Sequence, residues 1–226
     1  MGKAIENAAG KRGHQIAFVI DAGDKLEDLA RADVVMEFTT PDAAFGNIKA
    51  CLEAGVPVVS GTTGWLERWD EISAVCRREN GALVYASNFS VGVNLFFALN
   101  EYLAKLMQGR GYHPAILEIH HVHKKDAPSG TAVSLARQLL PYTDFDRWEN
   151  RADVRDALPV ESLRIGETVG FHEVKYQSET DAVTISHEAF SREGFALGAL
   201  LAAEFVAGKK GIFSMRDVLQ IGEKRD

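Results

Sequence analysis

Apolar residues over the first hundred positions fall in short continuous runs separated by stretches with helical spacing, as expected of a strand–helix–strand chain. Residues 4–11 read as the tail of a helix with Gly13 as its stop. Residues 16–20 (IAFVI) form an unbroken apolar run ending in Asp21, which predicts a strand buried on both faces. Residues 34–38 (VVMEF) predict a second strand. Thr40 and Pro41 then mark a helix start, with Asp42 near its positive end, and Gly55 marks the stop. A third strand at 56–60, a helix at 66–79 closed by Gly81, and a fourth strand at 82–86 complete the alternation. Such an order predicts a parallel sheet with helices on its faces.

Past residue 89 the texture changes. Residues 92–107 predict one long amphipathic helix, and 116–123 a strand that is polar at its end. Residues 141–162 are charged and punctuated by proline, and read as a loop region. Two strand-like stretches at 169–176 and 182–187 suit an antiparallel sheet, and 195–206 a last helix. The pattern predicts a doubly wound α/β domain (residues 1–90, rejoined by 193–226) and a second, α+β domain (91–192).

Composition narrows the function. The chain has 226 residues, a net charge of −7 and 46% apolar residues. An acidic protein has no general grip on nucleic acid or anionic membrane, and no run of ~18 apolar residues marks a transmembrane helix. No apolar segment of signal-peptide type opens the chain. Cys51 and Cys76 are the only cysteines, which suits a reducing, cytoplasmic setting rather than a disulfide scaffold.

The densest chemistry lies at residues 118–132, EIHHVHKKDAPSGTA, where three of the seven histidines fall within four positions. On a strand, His121 and His123 share one face and His120 takes the other. Pro128-Ser129-Gly130-Thr131 opens a helix whose glycine lets an anion approach the first backbone N–H groups. With Lys124 and the imidazoles beside it, the segment suits a carboxylate or phosphate and proton transfer near neutral pH. Two other readings stand beside it: a solvated strand end with a capped helix, or the metal site of a hydrolase in which the His121/His123 pair recruits Asp126, His172 or His187. The lysines disfavour the metal, and none is expected.

Three further features sit where α/β sheets bind ligands, at the carboxyl ends of strands. They are Gly61-Thr62-Thr63-Gly64, the segment Ala86-Ser87-Asn88-Phe89, and Asp21, which could accept ribose hydroxyls. Each also fits an ordinary turn.

Taken together, EFTTP (37–41), GTTGW (61–65), ASNFSVGVN (86–94), EIHHVHKKDAPSGTA (118–132), RIGETVGFH (164–172) and SMRDVL (214–219) resemble the 4-hydroxy-tetrahydrodipicolinate reductase family, also called dihydrodipicolinate reductase. The resemblance runs through the whole chain in order. It implies a Rossmann-like dinucleotide-binding domain plus a mixed-sheet domain for substrate and oligomerisation, assembled as a homotetramer through those sheets. It implies NAD(P)H-dependent reduction of a small dicarboxylate in lysine and diaminopimelate synthesis. By the same resemblance His120 is the general acid/base and Lys124 a second proton donor and carboxylate partner. His121, Gly130 and Thr131 are its substrate carboxylate ligands. Gly61, Thr62, Thr63, Ala86, Ser87, Asn88 and Phe89 are its cofactor contacts, and Asp21 is its ribose ligand. Ala22 follows Asp21 where longer members carry Arg, which implies NADH preferred over NADPH, with Lys25 able to restore some NADPH binding.

One departure stands out. The family opens with a strand and a glycine-rich loop, whereas this sequence opens at Met1-Gly2-Lys3, matching only the cofactor-contacting end of that loop. Roughly ten residues, a strand of ~5–6 and the first glycines, have no counterpart here. The expectation is a misplaced start or an impaired paralogue that still binds dicarboxylates.

Overall fold

The computed structural model describes residues 1–222. The domain reading extended to residues 223–226, which lie outside the described residues. In chain order the first elements are α1 (Gly2–Lys11), β1 (Val35–Glu37), α2 (Pro41–Glu53), β2 (Val58–Ser60), α3 (Trp69–Arg78) and β3 (Ala82–Tyr85). There follow α4 (Val91–Met107), β4 (His113–His120), α5 (Gly130–Leu139), β5 (Trp148–Glu149), β6 (Leu158–Arg164), β7 (Gly170–Gln177) and β8 (Ala182–Ala189). The chain closes with α6 (Glu193–Val206), β9 (Gly211–Phe213) and α7 (Met215–Val218).

Two compact units result. One comprises Met1–Val91 and the described residues from Glu193 on; the other is Gly92–Arg192. The first unit is built on a parallel sheet in the order β1-β2-β3-β9. The two central strands, β2 and β3, are buried on both faces, as their unbroken apolar runs require. Ile5, Ala8 and Ala9 of α1 and the small-residue face of α6 pack with Val59 and Val84. Ile48, Leu52, Ile72 and Val75 of α2 and α3 pack with Val58 and Leu83 in a separate core. Alternate residues of each strand thus point to opposite layers, giving the doubly wound arrangement. Cys51 and Cys76 are buried free thiols in the second of these cores, and burial pushes the Cys51 thiol up to about 12. Gly198 lets α6 lie against the backbone: a Cβ there would sit 1.7 Å from the Phe89 carbonyl oxygen.

The second unit holds a mixed five-stranded sheet in the order β5-β6-β4-β7-β8. β4 runs parallel to β6 and antiparallel to β7. Even-numbered residues of β4 and β7 face a core with Leu135, Ala136 and Leu139 of α5 and Phe96 and Ala104 of α4. Among the described residues, no helix is long and apolar enough to cross a membrane.

Several expectations are corrected. Residues 16–20 form no strand; Ile16 and Val19 are 47% and 59% exposed, and among the described residues the run has no ladder partner. An apolar run becomes a strand only where a neighbour takes its backbone hydrogen bonds. The strand placed at 116–123 is β4, which ends at His120, so strand alternation does not govern His121 and His123. The stretch 141–162 is not all loop: it holds β5 and the start of β6. At the end of α3 it is Asn80, with φ 47°, that takes the left-handed conformation instead of Gly81. Gly13 does act as the stop for α1, with φ 82°.

Candidate active site

The polar centre of the second unit is Glu118. It is fully buried on β4, two residues before His120 and so on the same face. Its Oε1 accepts hydrogen bonds from the backbone N–H of Ser129 (3.1 Å) and from Nη2 of Arg164 (3.0 Å). Its Oε2 lies 2.7 Å from Nδ1 of His120, a close contact that is bent from ideal hydrogen-bond alignment. Burial would raise this carboxyl, but the close His120 ring, the hydrogen bonds from Ser129 and Arg164 and the nearby Ser162 hydroxyl outweigh it and hold the group well below the usual carboxylate range.

Arg164 comes from the end of β6, paired in register with His120. Its guanidinium also donates to the Asp126 carbonyl (2.6 Å) and the Lys124 carbonyl (3.4 Å), which fastens the turn after β4. Within that turn Lys124 Nζ meets the two Asp126 carboxylate oxygens at 2.7 and 2.8 Å, and this bond holds the Asp126 carboxyl below its ordinary range. Ser129 caps α5: its Oγ accepts from the Ala132 N–H at 3.2 Å. The Val133 N–H goes to the Ser129 carbonyl, so among the described residues the N–H groups of Gly130 and Thr131 are left without a partner. A Cβ on Gly130 would meet nothing within 4 Å.

His172 of β7 stands opposite Glu118 in register, and its Nε2 is 3.1 Å from Ser129 Oγ. Burial, reinforced by His120, pushes His172 down to about 4, so this ring is neutral near pH 7. His120, Lys124 and the start of α5 are therefore gathered around one buried carboxylate. His121 is half-buried beside His123, ring centres 6.2 Å apart, and His123 faces Glu167 at 3.6 Å.

The groups named for a metal at the His121/His123 pair are otherwise engaged: Asp126 with Lys124, His172 with Ser129, and His187 stacked 6.2 Å from Phe96. Glu118, His120 and His172 do bring ligand atoms within 4.8 Å of one another. The Arg164 guanidinium on the same carboxylate disfavours a second cation there.

In the first unit, the loops after β1, β2 and β3 join at the carboxyl edge of the sheet. Glu37 is buried and binds all of them but the last: its carboxylate accepts from the Thr39 N–H and hydroxyl, from Ser60 Oγ (2.6 Å) and from Thr62 Oγ1 (2.8 Å). The Phe38 ring lies 5.6 Å from that of Phe89, bringing in the third loop. Gly61 is required beneath Phe38, since a Cβ would fall 2.1 Å from its ring. Trp65 Nε1 donates to the Thr62 carbonyl (2.7 Å). Thr62 and Phe89 are thereby buried, Gly61, Ala86 and Asn88 half-buried, and Thr63 and Ser87 exposed. A flat ring could lie along this edge, with Thr63 and Ser87 offering polar groups. Met1 is exposed at the start of α1 and accepts from the N–H groups of Ala4 and Ile5. Asp21 is exposed in a turn in which its N–H donates to Asp24 Oδ2 (2.8 Å). No hydrogen bond joins Met1 or Asp21 to the three loops among the described residues.

Sequence reasoning quoted Glu37, Glu118 and Arg164 within motifs but gave them no role. The usable signal was the i, i+2 spacing of Glu118 and His120, which places an acid and an imidazole on one face of any strand.

Comparison with known proteins bears on the whole chain. Residues 1–89 match the family profile "Dihydrodipicolinate reductase, N-terminus", and residues 92–219 match "Dihydrodipicolinate reductase, C-terminus". The chain is 45% identical over 223 residues to 4-hydroxy-tetrahydrodipicolinate reductase of Christiangramia forsetii, covering 97% of this chain and 93% of that one. It is 36% identical to the protein of the same name from Ralstonia nicotianae, covering 96% and 85%. Among solved structures, the dipicolinate-bound dihydrodipicolinate reductase from Paenisporosarcina sp. TG-14 shares the fold, with a TM-score of 0.78 at 21% identity over 94% of this chain and 92% of that one. The two profiles and the relatives agree: this chain belongs to the dihydrodipicolinate reductase family.

Proposed function

We propose that the chain catalyses the family's reaction, reduction of 4-hydroxy-tetrahydrodipicolinate, by way of dihydrodipicolinate, to tetrahydrodipicolinate in lysine and diaminopimelate synthesis. The observation that carries this is the grouping of His120, Lys124 and the open start of α5 around Glu118. A dicarboxylate needs cationic and N–H partners on its two ends, and the N–H groups of Gly130 and Thr131, with His121 and Lys124, provide them. To take that role Lys124 exchanges Asp126 for the substrate. His120 gives a proton to the substrate ring, and Lys124 neutralises the charge that develops there.

A pyridine nucleotide is the cofactor, and when bound it supplies the hydride. The loops at 61–63 and 86–89 would hold its nicotinamide half, and Asp21 its ribose. NADH is favoured several-fold over NADPH, because the exposed Asp21 carboxylate repels a 2′-phosphate and Ala22 offers no cation. Lys25 is exposed and faces Glu27 at 3.5 Å, so it offsets little of this. The first unit is thus the dinucleotide-binding domain and the second the substrate domain, of a cytoplasmic enzyme assembled as a homotetramer through the mixed sheet. In support of assembly, Phe190 after β8 is 86% exposed.

Titration calorimetry with dipicolinate, in the presence of NADH, tests the site. Binding is expected in the unaltered protein and a ~10-fold or greater weakening in Lys124→Ala. Equal affinity in the two proteins would remove Lys124 and the start of α5 from the substrate site.

A further inference from the structure

We infer that Glu118 is the positioning residue for His120, fixing the imidazole with a proton on Nδ1 so that Nε2 is the nitrogen that exchanges its proton with substrate. This rests on the proposal that His120 is the acid.

Four features of the structure carry it. Oε2 of Glu118 is 2.7 Å from Nδ1 of His120, so a small rotation of the ring completes an Nδ1–H···Oε2 bond, and the partner of one ring nitrogen of a histidine decides the state of the other. The carboxylate cannot turn away, because Oε1 is tied to the Ser129 N–H at 3.1 Å and to Arg164 at 3.0 Å in a fully buried position. The flank of Nε2 is kept clear by Gly170, where a Cβ would come within 3.1 Å of that nitrogen. The neighbouring His172 does not compete for Oε2: it stands 3.9 Å away, is bonded to Ser129 instead, and is neutral.

The charged and titratable groups around His120 are few: Glu118 on its own strand, Arg164 in register on β6, His172 on β7 with its ring centre at 5.0 Å, and Lys124 in the turn that follows. Of these, Glu118 is the group that meets Nδ1. On proton transfer the Nε2–H bond breaks with its electron pair left on nitrogen, while Nδ1 keeps its proton toward Glu118. The carboxylate therefore keeps the ring aligned in both states. The same carboxylate fixes the Ser129 N–H, so the acid and the anion-binding helix start are set by one group.

Nitrogen-15 NMR of the histidine imidazoles in the full chain tests this without any substitution. The neutral form of His120 is expected as the Nδ1–H tautomer; the Nε2–H tautomer overturns the inference. In Glu118→Gln, whose amide can also donate to Nδ1, the Nε2–H tautomer is expected to become populated and kcat to drop ~10-fold or more. An unchanged tautomer together with an unchanged kcat in Glu118→Gln would also overturn it. If Glu118→Gln does not fold, Glu118→Asp, which keeps the charge beside Arg164, is expected to retain the Nδ1–H tautomer. Full turnover in His120→Gln would remove the acid role, whereas loss of turnover there together with an Nε2–H tautomer would remove only the inference about Glu118.

Discussion

Arg164 donates through Nη2 to the Asp126 carbonyl at 2.6 Å, so the end of β6 holds the turn that carries Lys124. The same nitrogen reaches the buried Glu118 carboxylate at 3.0 Å. Two functions meet in one guanidinium: it neutralises a charge that has no access to water, and it closes a loop.

Arg164→Met is expected to be among the most damaging single changes in the second unit. It would leave Glu118 buried and uncompensated, a loss of about 3–5 kcal/mol. Arg164→Lys should recover only part of this, since one ammonium cannot reproduce the planar fork to several oxygens. Urea unfolding of the three proteins measures the order; equal midpoints for Arg164→Met and the unaltered protein would show that the pair is not a net support.

His172 makes stability depend on pH in a defined window. Its folded pKa is near 4 against an ordinary value of 6.5, so between those values the unfolded chain binds a proton that the folded chain does not. Its contribution is fully present above the ordinary value, falls as pH drops toward 4, and amounts to about 3 kcal/mol at most. Subtracting the stability profile of His172→Phe from that of the unaltered protein isolates it. A difference that is flat between pH 4 and 6.5 would contradict the neutral buried ring.

Glu37 should govern nucleotide binding without touching the substrate. Glu37→Ala leaves the hydroxyls of Ser60 and Thr62 and the Thr39 N–H without their shared acceptor, loosening the loop at 61–65. We expect NADH affinity to fall ~10-fold and stability by about 2 kcal/mol. Fluorescence titration with NADH measures the first, and an unchanged Kd would mean that the loop holds its shape without Glu37.

Much of this was legible in the sequence, for identifiable reasons. The helix start at Thr40-Pro41, with proline at the first helical position, and the serine-capped start at Ser129-Gly130-Thr131 both lie where local chemistry places them. The run at 16–20 misled because apolar continuity says nothing about a hydrogen-bonding neighbour. β6 was hidden because LPVESLR alternates over too few residues to stand out from charged surroundings. Glu37, Glu118 and Arg164 escaped for a further reason. Carboxylates and guanidinia are ordinarily exposed, and only the tertiary structure reveals Glu37 buried among hydroxyls and Glu118 buried against the part-buried Arg164.

The most direct measurement is oxidation of NADH by the purified full chain, with 4-hydroxy-tetrahydrodipicolinate generated in the cuvette, alongside His120→Gln. Substrate-dependent oxidation is expected in the unaltered protein, several-fold better in kcat/KM with NADH than with NADPH, and ~10²-fold slower in His120→Gln with NADH affinity retained. No turnover with either nucleotide from a folded protein that still binds dipicolinate would contradict the account and leave an impaired relative of the family in its place.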